Sequence, residues 1–191
     1  MRPFPVRLGQ QGASLLEVLI TLVILAIGLL GLAGLQSRLQ ASEMEAYQRA
    51  QALVLLEDMA SRIASNRANA DSYVTGAGSP LGTGAVCSTS TASRQEIDAG
   101  DWCRALQGAS ETQGTASVGA MIGGRGCVEV DPGDPGVYRV TVAWQGLTPL
   151  AAPAESCGKD AYDGAAGSAC AGDVCRRVVT TVVRIGNLSS L

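Results

Sequence analysis

The feature that most restricts this chain is an apolar run from Leu15 to Leu35, in which only Glu17 and Thr21 are polar. As a helix rising ~1.5 Å per residue it would be ~30 Å long, the thickness of a bilayer's hydrocarbon core. A secretory signal has a shorter core, about 7–15 residues, with a small-residue cleavage site directly behind it. The run therefore reads as a membrane helix. Arg2 and Arg7 precede it and no acid appears before Glu17. That charge asymmetry predicts a cytoplasmic N-terminus, with the remainder on the other side.

Glu17 is the anomaly. A carboxylate at this depth costs several kcal/mol unless it finds a partner. One account is a capping box, because Ser14-Leu15-Leu16-Glu17 fits S-x-x-E at a helix start. That account leaves Gly12 and the short cationic leader unexplained. A second account supplies a cation at the same depth, namely a free α-amino group exposed by cleavage after Gly12.

Gly12-Ala13-Ser14-Leu15-Leu16-Glu17, followed by about twenty apolar residues, resembles the class III signal of type IV prepilins and pseudopilins. The resemblance implies a pilin-like α+β fold. It also implies cleavage between Gly12 and Ala13 by a prepilin peptidase, and N-methylation of Ala13. Glu17 would then be an assembly charge, pairing with the N-terminal amine of a neighbouring subunit.

Helical character continues past the membrane run. No proline occurs between Pro5 and Pro80, and Gln36 to Asn66 is rich in Ala, Leu, Gln, Glu and Arg. Leu39, Ala46, Leu53, Leu56, Ala60 and Ile63 mark one face at helical spacing, with Glu45, Gln48 and Arg62 elsewhere around the helix. The lower part, Leu53 to Ile63, is expected to pack on the protein's own head. Asn66, Asn69 and Asp71, then Gly76 and Gly78, end the helix. Gly28, Gly31 and Gly34 recur within the apolar run, consistent with either close helix packing or local unwinding in a fibre.

The chain divides into a leader (1–12), a membrane and assembly helix (13–35), its continuation outside (36–71) and a globular head (72–191). Residues 72–93 are rich in Gly, Ser and Thr and read as a loop. A short amphipathic helix follows from Ser93, with Ile97, Trp102 and Leu106 inward. Strands are expected at Ser117–Ile122, Gly126–Val130, Val137–Gln145 and Val174–Ile185. In the third, Tyr138, Val140, Val142 and Trp144 share one face. In the last, both faces are partly apolar, one to cover the long helix and one open to a partner. An antiparallel sheet packed on the helix follows.

Cys87, Cys103, Cys127, Cys157, Cys170 and Cys175 all lie beyond the apolar run. An even count on one side of a membrane points to disulfides in an oxidising compartment. Connectivity stays open, and sequence proximity favours Cys87–Cys103 and a bridge from the 157–170 loop to Cys175.

The chain has no histidine and a formal charge of −3. Without histidine a Ser-His-Asp triad cannot form, and the acidic balance opposes nucleic-acid binding. GAGSPLG lacks the strand, lysine and helix of a phosphate loop. DPGDPG and DAYDG bring acids together as a calcium loop would, but they are also ordinary turn sequences. Asn187-Leu188-Ser189 formally matches a glycosylation sequon. No catalytic, cofactor-binding or metal residue is assigned.

The segments DWCRALQG, TVAWQ and RRVVTTVVR resemble the PilV-type minor pilins, the type IV pilus modification proteins. This implies a non-enzymatic subunit that waits in the inner membrane with its head in the periplasm and then enters a pilus on the cell surface. Implied partners are other minor and major pilins and a large tip adhesin. Minor pseudopilins of type II secretion share the leader and plan. An uncut leader would instead mark a membrane-anchored periplasmic binding domain.

Overall fold

The computed structural model describes residues 14–109, 112–113, 116–117, 119 and 121–186. The fold is α+β, and the chain separates into two compact units, Met1–Ser42 and Glu43–Leu191.

The helix α1 (Leu15–Ser65) belongs to both units. Ser14 starts it: its hydroxyl accepts the Leu16 N–H at 3.1 Å and its carbonyl accepts the Glu17 N–H at 3.0 Å. In the first unit every residue from Ser14 to Gln40 is exposed. The helix is regular through Gly28, Gly31 and Gly34, and a Cβ at any of them would meet open space.

The second unit continues from α1 through a 3-10 turn at Arg67–Tyr73, β1 (Leu81–Gly82) and α2 (Arg94–Leu106). It then runs through β2 (Thr112–Gln113), β3 (Ala116–Ser117), β4 (Arg125–Asp131), β5 (Asp134–Gln145) and β6 (Arg176–Arg184). The main sheet is antiparallel in the order β1-β4-β5-β6, while β2 and β3 form a separate pair. DPGDPG closes the β4–β5 hairpin: Asp131 pairs with Asp134, and Asp131 Oδ1 accepts the Gly133 N–H at 2.8 Å. Pro132 pre-sets the turn dihedral and the aspartate supplies the turn's side-chain acceptor.

One face of the sheet packs on α1. Tyr138, Val140, Val142 and Trp144 meet Ala52, Leu56, Met59 and Ile63, with Trp102 and Leu106 of α2 closing the core. Each fully buried aliphatic side chain here contributes about 2 kcal/mol of transfer free energy. The other face is partly covered by the chain between β5 and β6, where Cys157 and Tyr162 are buried with Thr141 and Ala143.

The stripe on α1 differs from the expected one. The buried residues are Gln48, Ala52, Leu56, Met59 and Ile63, whereas Leu39 and Leu53 are exposed. Leu53 lies about 100° around the helix from Ala52 and about 120° from Met59, since consecutive residues are ~100° apart. Gln48, expected off the apolar face, is fully buried. Ile97 is only half-buried, outside the core that holds Trp102 and Leu106.

The strand expected at Ser117–Ile122 ends at Ser117, and Met121 to Gly124 form a bend and turn. Gly123 has φ +66°, outside the extended region, which breaks a strand there. The 72–93 segment is more than a loop, because Leu81 and Gly82 pair with β4.

Candidate functional site

Gly12 and Ala13, where cleavage and methylation are expected, lie outside the described residues, as does Asn187-Leu188-Ser189. Glu17 sits in the first turn of α1, exposed, with Leu15, Leu16, Val18 and Leu19 exposed around it. From Leu15 the helix is long and apolar enough to cross a membrane, and the head buries none of that apolar window. Two properties thus coincide: an apolar stretch of helix that no part of the described chain covers, and one carboxylate near its start.

The six cysteines form three disulfides, Cys87–Cys103, Cys127–Cys157 and Cys170–Cys175. The first ties the 72–93 segment to α2. The second pins the β5–β6 connection onto the outer face of the sheet through β4. The third closes a short ring at the start of β6.

Three polar joints organise the head. On α1, Glu45 Oε1 accepts N–H bonds from Leu147 at 3.0 Å and Thr148 at 3.2 Å, and the Thr148 hydroxyl at 3.1 Å. Arg177 Nη2 stands 3.4 Å away. Burial alone would raise the Glu45 pKa, but the bonds from Leu147 and Thr148 and the Arg177 charge outweigh it. The carboxyl is held below its ordinary value.

Asp98 on α2, only 1% exposed, joins the end of α1 to the 3-10 turn. Its carboxylate accepts Arg62 Nη1 at 2.7 Å and the Tyr73 hydroxyl at 2.6 Å, and Arg94 Nε lies at 3.1 Å. Here too burial pushes the pKa up and is overcome by Tyr73, Arg62 and Arg94, leaving it lowered. At Tyr138 the effects add: burial and the bond to Asp71 at 2.6 Å push the phenol up to about 12.

The acids of DAYDG are engaged in their own loop. Asp163 Oδ1 accepts the Asp173 N–H at 2.6 Å, Asp173 Oδ1 accepts the Asp160 N–H at 3.0 Å, and Arg176 lies 3.1 Å from Asp173. They work as turn braces, and among the described residues no cluster of three or more acids, cysteines or histidines is arranged to hold a metal.

Sequence reasoning missed Glu45, Asp98, Arg62 and Arg176 as organising residues. Each sits in a charged, surface-like stretch, and each has at least one partner far along the chain. The local signals were the pairs Arg62–Asp58, Arg94–Asp98 and Arg176–Asp173, three or four residues apart.

Residues 7–33 match the sequence profile of the prokaryotic N-terminal methylation motif. The start of the chain is therefore type IV prepilin-like, and the match ends within the apolar helix. No curated protein and no solved structure matches the chain.

Proposed function

We propose that this chain is a minor pilin of the type IV kind, a structural subunit of PilV type rather than an enzyme. It is made as a prepilin, cut between Gly12 and Ala13 and methylated on Ala13 by a prepilin peptidase. It waits in the inner membrane through residues 13–35 with its head in the periplasm, then enters a fibre beside other minor and major pilins. A tip adhesin is a further partner on this reading.

The observation that carries the reading is the methylation motif running directly into a fully exposed apolar helix with Glu17 in its first turn. The charge is costly in lipid while alone, and a neighbour's N-terminal amine removes that cost. Methylation keeps the amine cationic, so the pairing survives the modification.

The first test is the intact mass and N-terminal peptide of protein from its native membranes. Loss of residues 1–12 with a methylated Ala13 is the expected result; a retained Met1 would refute processing. Glu17→Gln is expected to be processed normally yet absent from sheared fibres. Co-purifying subunits then separate a pilus from a secretion pseudopilus.

A further inference from the structure

The two edges of the main sheet are treated differently. At one, β1 is only two residues long and its Gly82 carbonyl accepts Gln107 Nε2 at 3.0 Å. A Cβ at Gly82 would lie 2.9 Å from that of Leu106 in α2, so the helix sits tight against this edge. At the other, β6 pairs with β5 along one side and has no strand on the other among the described residues.

The register identifies which groups are free. Ile185 N–H bonds the Gly136 carbonyl at 2.8 Å, and Gly146 N–H bonds the Cys175 carbonyl at 2.8 Å. Odd-numbered residues of β6 therefore face β5, and alternation turns the backbone of Val178, Thr180, Val182 and Arg184 outward. No described group bonds those outward amides and carbonyls.

Proteins ordinarily guard such an edge with proline, lysine, a bulge or brevity. β6 is nine residues long, reads RRVVTTVVR, and pairs with β5 without a register shift. Val182 is half exposed and the Arg184 side chain 74% exposed, held only by Asp134 at 3.6 Å. Unpaired alternating N–H and C=O groups are complementary to one thing, another extended backbone.

A second copy is a poor occupant. β6 carries Arg176, Arg177 and Arg184 and no acid. A two-fold axis that pairs two β6 strands antiparallel about Thr180 sets Arg184 opposite Arg176, and like charges directly opposite destabilise a strand pair.

We infer that the free edge of β6 docks an extended segment of a different polypeptide, β-branched along its length, with a carboxylate at the end that meets Arg184. Backbone bonds supply the affinity, and the exposed Val182 and Arg184 supply the selection.

The test uses the full chain in lipid nanodiscs and a synthetic peptide of alternating valine and threonine ending in aspartate. Residue-resolved hydrogen exchange should slow about tenfold at the amides of Val178, Thr180 and Val182 when peptide is ten times its Kd. Val179 and Thr181, already bonded to β5, should not change. A peptide N-methylated on its edge-facing residues should give no protection. Absence of slowing at millimolar peptide, or equal slowing by the N-methylated peptide, overturns the proposal. So does slowing that tracks protein concentration without peptide, because a second copy would then fill the edge.

Discussion

Glu45 on α1 accepts the Leu147 N–H at 3.0 Å, a bond that spans 102 residues of chain. One carboxylate oxygen thus holds the turn after β5 against the helix. Glu45→Ala removes the acceptor for two amides and a hydroxyl, and should destabilise the head by about 1–2 kcal/mol, since those exposed donors regain water. Glu45→Gln keeps an acceptor and should cost less. The folded pKa is lowered from 4.5, so the stabilisation is fully present above that value and fades as pH falls through the folded pKa. Denaturant titrations of wild type and Glu45→Ala should therefore converge below about pH 4.5 and stay apart at pH 7.

Asp98 is a more severe case because its carboxylate is buried. Asp98→Asn leaves Arg62 facing a neutral amide and should cost about 3 kcal/mol. Its pKa is also lowered, from 3.8, so the deficit should be fully present above that value and fade as pH falls through the folded pKa. Thermal unfolding at stepped pH checks both the size and the fading.

Gly126 on β4 lies under the indole of Trp102, and a Cβ there would overlap the ring. Gly126→Ala must push Trp102 away and strain its bond from Nε1 to the Leu55 carbonyl, 2.8 Å long. A loss of about 1–3 kcal/mol is expected, with a shifted tryptophan emission maximum. An unchanged spectrum and stability would show that the ring is not seated on the glycine.

The disulfides should rank by loop length. Cys127–Cys157 closes a separation of 30 residues and Cys170–Cys175 one of 5. The loop-entropy difference is about 1.6 kcal/mol, so a Cys127→Ala/Cys157→Ala pair should be the less stable variant by roughly that amount. Denaturant unfolding of the two double variants tests it.

The parts legible in the sequence are those whose cause is local. The apolar helix, the start of α2 at Ser93, the tight turn at Pro132-Gly133 and the alternation along β5 each follow from residues within one turn or strand. What stayed hidden was decided at a distance. Leu53 and Gln48 departed from their expected places because the side of α1 that packs on β5 is chosen by the sheet, which the helix pattern does not record. Gly126 was only a residue inside a strand until Trp102 arrived above it. The joints at Glu45 and Asp98 join residues that no short pattern connects. At the N-terminus the position is reversed: on the proposed function the signal around Gly12 and Glu17 is for an enzyme and neighbours to read, so it is written entirely in sequence.

The adjacency of α1 and β6 also has a consequence in time. β6 is the last described strand to be made, yet it covers Val140 and Val142 along β5 and brings Arg177 to Glu45. Until Arg184 has been synthesised, β5 is itself an open edge, and until Arg177 is made Glu45 lacks its cation. The head therefore completes only once β6 has been made, long after α1. A chain that stalls before residue 176 would be unfinished, its exposed β5 edge distinguishing it from the completed head.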